Sequence, residues 1–244
     1  METIIIGRNP VLEALKNDRE IEKILVTKDG AGSVKKIVAM AKEKKLTVMQ
    51  VDKPVLDRLA DGGSHQGVVA YVSAHAYIAL DELIEKALEA KEEAFLIILD
   101  GVEDPHNFGA IIRTADGAGA QGIIIPKRRA VGITETVAKA SAGAVEYVPV
   151  AKVSNIVQTI ERLKKEGFWI GACDMDGELY HQANLTGKFA LVIGGEGQGI
   201  SRLVRETCDF IVSIPMSGKI NSLNASNAAA ILMYEVKRQR DGKR

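Results

Sequence analysis

The chain has little cysteine and no net charge, and each scarcity narrows the chemistry open to it. Its 244 residues include only two cysteines, Cys173 and Cys208. They make no CxxC pair and no metal-finger spacing, so a disulfide scaffold and a zinc finger are not expected, and a reduced, cytoplasmic setting is. Lys plus Arg and Asp plus Glu each number 32. Bulk charge therefore announces no nucleic-acid partner, and such a partner would have to be met by local basic patches. No apolar run reaches the roughly 18 residues that a membrane helix needs. The opening METIIIGRNP has neither the basic flank nor the long apolar core of a secretory signal, so none is expected. There is no internal repeat and no low-complexity segment. What remains is an ordinary soluble profile, long enough for one large domain or two small ones.

Two basic runs stand out locally: Lys127-Arg128-Arg129, and a tail KRQRDGKR from Lys237. Each reads either as solvated surface or as a contact patch.

Alternation of apolar strands with amphipathic helices runs along the whole chain. In residues 1–73, IIIGRNPVLEALKN reads as strand, cap and helix, with Asn9 as a candidate cap and Pro10 at the first helical position. IEKILVTK, LTVMQV and GVVAYVS read as further strands, separated by helices SVKKIVAMAKEKK and KPVLDRLAD. Residues 74–94 turn acidic and amphipathic, and read as a linker plus the first helix of a second domain. That domain, 95–244, opens on FLIILD, a continuous apolar run typical of a buried parallel strand. Predicted strands GIIIP, EYVPV, FWIGACD, FALVIGG and FIVSIPM follow, with helices between all but FWIGACD and FALVIGG, and the last helix starts near Asn224. The fold class is α/β, a parallel sheet covered on both faces, with ligands expected at the carboxyl ends of its strands.

Three loops at such ends carry chemistry. In LDGVEDPHNFGAIIRTADGAG (99–119), Asn107 and Arg113 flank a helix start. An arginine there can grip phosphate or stabilise a developing oxyanion. Asp104 and His106 are two metal-ligand candidates without a third, a weak set, and a capping role near the helix start is favoured over metal. In LVIGGEGQGIS (191–201), glycines crowd between strand and helix, and Glu196 stands alone among them. The run is no P-loop, because the Lys-Ser/Thr pair is missing. It is a poor dinucleotide fingerprint, because no acidic residue follows where a ribose would need one. In IPMSGKINSLNASNAAAILMYEV (214–236), Asn221, Asn224 and Asn227 recur every third residue, with Ser222 and Ser226 between them. Helix capping explains one or two of these side chains, not all five.

In this order the loops resemble the three motifs of the SpoU class of the SPOUT superfamily. The matching residues are Asn107-x-Gly109-x-x-x-Arg113-Thr114-Ala115, Gly194-Gly195-Glu196-Gly197, and Ile214-Pro215-Met216 with Ser222-Leu223-Asn224. The first 73 residues resemble the small ribosomal-protein-like α/β domain that binds RNA in many members. The resemblance implies a deep trefoil knot in the C-terminal domain, S-adenosylmethionine as cofactor, no metal, a homodimer, and methylation of a ribose 2′-hydroxyl in RNA. It points to a guanosine in the peptidyl-transferase loop of large-subunit (23S) ribosomal RNA. By the same resemblance Arg113, Asn107, Glu196, Ser222 and Asn224 form the catalytic set. Gly194, Gly195, Ile214, Met216 and Leu223 hold the cofactor. Arg8, Asn9, His65 and Gln66, with Arg113, contact RNA. The chain departs from the family at Asn227, where members often carry an apolar residue. A tRNA methyltransferase of the same class, a non-catalytic RNA-binding protein on a degenerate methyltransferase domain, and a nicotinamide-dependent oxidoreductase using GGEGQG are the alternatives.

Overall fold

The structure is a computed structural model. It describes residues 4–16, 21–28, 32–73, 76–90, 93–220 and 222–242. Backbone proximity divides the chain into two units, Met1–Ala76 with Gly132–Thr136, and Tyr77–Val131 with Val137–Arg244.

In the first unit the elements are β1 (Ile4–Ile6), α1 (Arg8–Lys16), β2 (Ile21–Thr27), α2 (Ser33–Glu43), β3 (Thr47–Val51), α3 (Lys53–Ala60) and β4 (Val68–Val72). They build a four-stranded sheet ordered β1-β4-β2-β3, with only the β2–β3 pair parallel. Successive side chains of a strand point to opposite faces. Ile24, Val26, Val68 and Ala70 accordingly pack with Val11, Leu15, Val34 and Ile37 from α1 and α2. Leu25, Val69 and Tyr71 pack on the other face with Leu56 of α3. Coverage of both faces is why VVAYV is buried throughout.

Asn9 is not the cap of α1. The helix begins at Arg8, and the carbonyl of Gly7 accepts the first helical bond from Val11 N at 3.2 Å. Gly7 makes the strand-to-helix turn at φ 95°, a conformation that favours glycine. Asn9 and Pro10 lie within the exposed first turn.

The second unit carries α4 (Leu80–Glu89), β5 (Phe95–Asp100), α5 (Pro105–Ala118), β6 (Gly122–Pro126), then α6 (Glu135–Ala140) from Val137 onward, β7 (Val150–Val153), α7 (Ile156–Lys165), β8 (Trp169–Leu179), β9 (Phe189–Gly194), α8 (Arg202–Thr207), β10 (Phe210–Ser213) and α9 (Ala225–Asp241). Its six strands are ordered β10-β8-β9-β5-β6-β7 and pair parallel throughout. FLIILD and FALVIG occupy the middle and are buried almost end to end. The α/β class with a parallel sheet thus stands.

Two strands differ from the sequence expectation. The strand expected at EYVPV lies at Val150–Val153 instead. Ala142 and Gly143 take positive φ, Ala144–Glu146 forms a 3-10 turn, and Tyr147 is 79% exposed. Burial of Val148 thus comes from the end of a turn, and with buried Val150 two residues on it imitates strand alternation. β8 runs past Asp174, but its register against β10 jumps from Ala172↔Ile211 to Glu178↔Val212. Residues 173–177 are therefore an excursion at a strand end.

After β10, at one edge, the chain returns to the middle of the sheet, where α9 packs along α5. This return is the part that the resemblance assigns to the knot. Ala225, Ala229, Leu232, Met233 and Val236 form the buried stripe of α9. Asn227 is exposed beside it, so its polarity costs the core nothing.

Candidate active site

The end of β5 organises two of the three loops. The Asp100 carbonyl accepts from Gly195 N at 2.9 Å, and its carboxylate accepts from Ser201 N at 2.8 Å, just ahead of α8. The glycine run then closes on itself, with Gly199 N donating to Gly195 O at 3.1 Å. A Cβ on Gly195 would collide with the backbone of Gly101, so only glycine lets these two strand ends approach. Glu196 is carried at the exposed tip of this turn.

α5 starts one loop away. Asp104 caps it, accepting from Asn107 N at 2.8 Å. That fixes Asn107 in the first turn, buried, with its amide aimed at the glycine loop. Among the described residues no group of three or more His, Cys, Asp or Glu is placed to hold a metal.

The third loop completes a closed ring. Asn107 Nδ2 donates to Glu196 Oε1 at 2.7 Å. Asn224 Nδ2 donates to the same oxygen at 2.8 Å and to Asn107 Oδ1 at 3.0 Å. Both amide orientations follow from the network. An ionised carboxylate only accepts, so both NH2 groups must face Glu196. Asn224 Oδ1 then faces Ser226 N (2.9 Å), Ser226 Oγ (2.6 Å) and Asn227 N (3.4 Å). One asparagine thereby caps α9 and ties all three motifs together. Asn221 lies outside the described residues.

Beside the ring is a cleft of about 410 Å3, lined by Ile193 to Gly199, Ile214, Met216, Ser222 and Leu223, by Cys173, Asp174 and Met175, and by Ala225 and Ala228. All five residues expected to hold a cofactor line it, as do Glu196 and Ser222. Sequence reasoning meets Cys173 only as a free cysteine and misses Asp174 and Met175, because FWIGACD reads as a strand that ends there. The available signal was polar residues at the carboxyl end of a parallel strand. Asp174 is held by Arg205 Nε at 2.8 Å, and Met175 is 60% exposed beside it. Burial, helped by the Asp174 carboxylate, pushes the Cys173 thiol up to about 11. A shift in that direction favours the protonated thiol, and Cys173 serves as part of the cleft wall.

Arg113 is not brought to this group. Six residues of helix rotate it by about 120° from Asn107. It is exposed, makes no hydrogen bond or ion pair among the described residues, and does not line the cleft.

In the first unit, Arg8 Nε donates to Gln66 O at 2.8 Å, so two of the expected RNA contacts are neighbours. Asn9 and Gln66 are exposed. His65 is only 7% exposed, and both ring nitrogens are engaged. Nδ1 accepts from Gly67 N at 3.0 Å, which leaves the proton on Nε2 to be donated to Asp57 Oδ1 at 2.8 Å. No ring nitrogen of His65 is free for RNA.

The chemistry of the cleft suits one kind of ligand. Glycine backbone offers amide donors and acceptors without side-chain obstruction. Met175, Met216 and Leu223 offer apolar contact, and Glu196 offers negative charge. Such a cleft takes a partly apolar, heterocyclic and cationic molecule, which describes S-adenosylmethionine.

Comparison with known proteins decides the family. The profile of the SpoU rRNA Methylase family matches residues 94–234, and that of RNA 2′-O ribose methyltransferase substrate binding matches residues 4–78. The chain belongs to the SpoU methylase family. A Bacillus subtilis relative, YacO, named for the TrmH family of tRNA/rRNA methyltransferases, is 48% identical over 239 residues, which is 97% of this chain and 96% of its own. The SpoU methyltransferase AviRb from Streptomyces viridochromogenes, solved with the cofactor AdoMet, superposes with a TM-score of 0.63 at 25% identity, over 98% of this chain and 90% of its own. The TrmH/SpoU tRNA modifying enzyme of A. aeolicus is 32% identical with a TM-score of 0.57, over 67% of this chain and 83% of its own. The protein is thus an RNA 2′-O-ribose methyltransferase of the SpoU class.

Proposed function

We propose that this chain methylates the ribose 2′-hydroxyl of a guanosine in the peptidyl-transferase loop of 23S ribosomal RNA, using S-adenosylmethionine. The observation that carries the reading is the hydrogen-bonded ring of Asn107, Glu196 and Asn224 beside the glycine-lined cleft. When bound, S-adenosylmethionine supplies an electrophilic methyl on a sulfonium, so no metal is called for. Gly194, Gly195, Ile214, Met216 and Leu223 hold it, and Ser222 borders the place where RNA enters. The ring fixes the relative positions of the three loops, and alignment of that kind can supply up to roughly 7–11 kcal/mol of a barrier. Arg113 grips the phosphate beside the target ribose and stabilises the oxygen as it loses its proton. A guanidinium stays protonated, so its part is electrostatic.

The exposed position of Arg113 fits a site completed when two copies meet. Ile231 and Tyr234 are exposed one helical turn apart on α9, which packs along α5. We propose a homodimer that buries this face, working in the cytoplasm, where the free Cys173 and Cys208 stay reduced. The first 73 residues select the RNA through Arg8, Asn9 and Gln66, with His65 holding that loop from within.

The names of relatives that mention tRNA favour a second reading, a tRNA substrate for the same chemistry. One experiment separates them. The protein is incubated with labelled S-adenosylmethionine and unmodified 23S RNA, small-subunit RNA or tRNA, and the RNA is digested to nucleosides. Label in a 23S 2′-O-methylguanosine is expected. Label only in tRNA would replace the substrate, and none in any RNA would overturn the reading.

A further inference from the structure

The basic run Lys127-Arg128-Arg129 has no part in the ring or in the cleft. It forms the bend that leaves β6, and all three residues are exposed. Their side chains make no hydrogen bond or ion pair among the described residues. Elsewhere in the same unit Lys164, Arg202, Arg205 and Arg238 each lie against a carboxylate. A chain with equal numbers of cations and anions has here three consecutive cations left unneutralised.

The bend is built, not loose. Lys127 N donates to Val153 O at 2.8 Å on one side, and Val131 N donates to Val102 O at 3.1 Å on the other. Arg129 is held at φ 56°, where a non-glycine residue is uncommon. Backbone strain of this kind persists only where the surroundings impose it. Its anchor, Val102, lies in the loop that joins Asp100 to Asp104, which is the first motif loop.

Strand order fixes the direction. β9, β5 and β6 are consecutive neighbours, all parallel, so their carboxyl ends share one rim. Adjacent strands lie about 4.8 Å apart, which sets the end of β6 about 10 Å from the end of β9 that carries Gly194. That is the reach of one or two nucleotides from a ribose held at the cleft.

We infer that Lys127, Arg128 and Arg129 form a phosphate clamp for the RNA strand flanking the target nucleotide. This rests on the reading of the chain as an RNA ribose methyltransferase. The clamp recognises backbone phosphate, not base identity, and adds affinity that every target sequence shares.

The test uses the full chain, unmodified 23S RNA transcript and the variant Lys127→Ala/Arg128→Ala/Arg129→Ala. RNA affinity is measured over roughly 50–200 mM salt, where each phosphate neutralised on a single strand contributes about 0.7 to the slope of log affinity against log salt. The triple variant should lower affinity about 10- to 100-fold at low salt and flatten the slope by about 2. KM for RNA should rise, while kcat at saturating RNA and cofactor affinity stay unchanged. Arg129→Gly relieves the positive φ while removing one charge, and should flatten the slope by about 0.7 with the fold intact. It decides the matter if the triple variant loses cofactor binding through misfolding. Unchanged affinity and slope in variants of an active parent would overturn the clamp alone. A parent that neither binds nor methylates any RNA would overturn the functional reading beneath it.

Discussion

The two units use polar side chains in different ways. In the first, they work in pairs: Arg8 with Gln66, and His65 with Asp57. In the second, Asn107, Glu196 and Asn224 form a closed ring across 28, 89 and 117 residues of chain. A broken pair leaves one group to find water. A broken ring leaves two groups short at once, at the point where three loops meet. The first unit can therefore tolerate change that the second cannot, and the following outcomes press on that contrast.

The largest effect is expected where the ring's backbone support fails. Gly195→Ala pushes a methyl group into Gly101. Overpacking against backbone should cost about 3 kcal/mol. For a chain of this size that lowers Tm by about 6–12 °C. Cofactor affinity, followed by calorimetry, should be lost. A variant that binds cofactor normally would show that the glycine turn adapts and that the ring is not what holds the cleft.

Next comes the ring itself. Asn224→Ala removes a helix cap, about 1 kcal/mol, and strands Asn107 and Glu196 together. Asn107→Ala strands the other two. Members of one network are not additive, with coupling of about 0.5–3 kcal/mol. The double variant should therefore cost less than the sum of the singles in urea midpoints, and methyl transfer should fall in all three. Strict additivity would reduce the ring to separate contacts, like the pairs of the first unit.

These residues also mark what a sequence can and cannot disclose. FLIILD, VVAYV and FALVIG declare buried strands by apolar continuity, and they are where the sequence puts them. Asp104 is identifiable as a cap because a cap and its partner are three residues apart. The ring is different in kind. Asn107, Glu196 and Asn224 are each conspicuous, but which bonds to which depends on strand order and on the return of the chain after β10. The excursion of 173–177 is invisible locally because it exists only in register against β10. His65 shows the converse error: a polar residue in a glycine-rich loop looks free, and burial of its ring decides otherwise.

A third polar group sharpens the comparison from within the second unit. Glu235 is buried on α9 and receives Arg238 Nε and Nη2 at 2.8 and 2.7 Å, and Gln239 Nε2 at 2.8 Å. The hydrogen bonds from Arg238 hold its carboxyl below the ordinary value. A carboxylate with a depressed folded pKa adds stability above its unfolded pKa, about 4.3, and that stability is lost as pH falls through the folded pKa. Glu235→Gln should therefore cost on the order of 1 kcal/mol near pH 7, allowing for solvent around Arg238. It should also flatten the acid limb of stability below about pH 4.3. An unchanged acid limb, measured by urea unfolding at several pH values, would remove Glu235 from the account. Because its partners lie within one helical turn, the change should leave cofactor binding intact, unlike any change in the ring.

The smallest effect should lie in the first unit, and it tests the contrast most directly. Arg8→Ala breaks a side-chain bond to the Gln66 carbonyl, an exposed contact that water can replace, and a long one of 3.5 Å to Ser33 Oγ. Stability should change by no more than about 0.5 kcal/mol. If the loop around Gln66 meets RNA, KM for RNA should rise several-fold while kcat and cofactor affinity remain those of the parent. A fall in kcat instead would mean that the first unit reaches into the chemistry. A fall in stability comparable to that of Asn224→Ala would mean that its pairs are as tightly coupled as the ring, and the distinction between the units would dissolve.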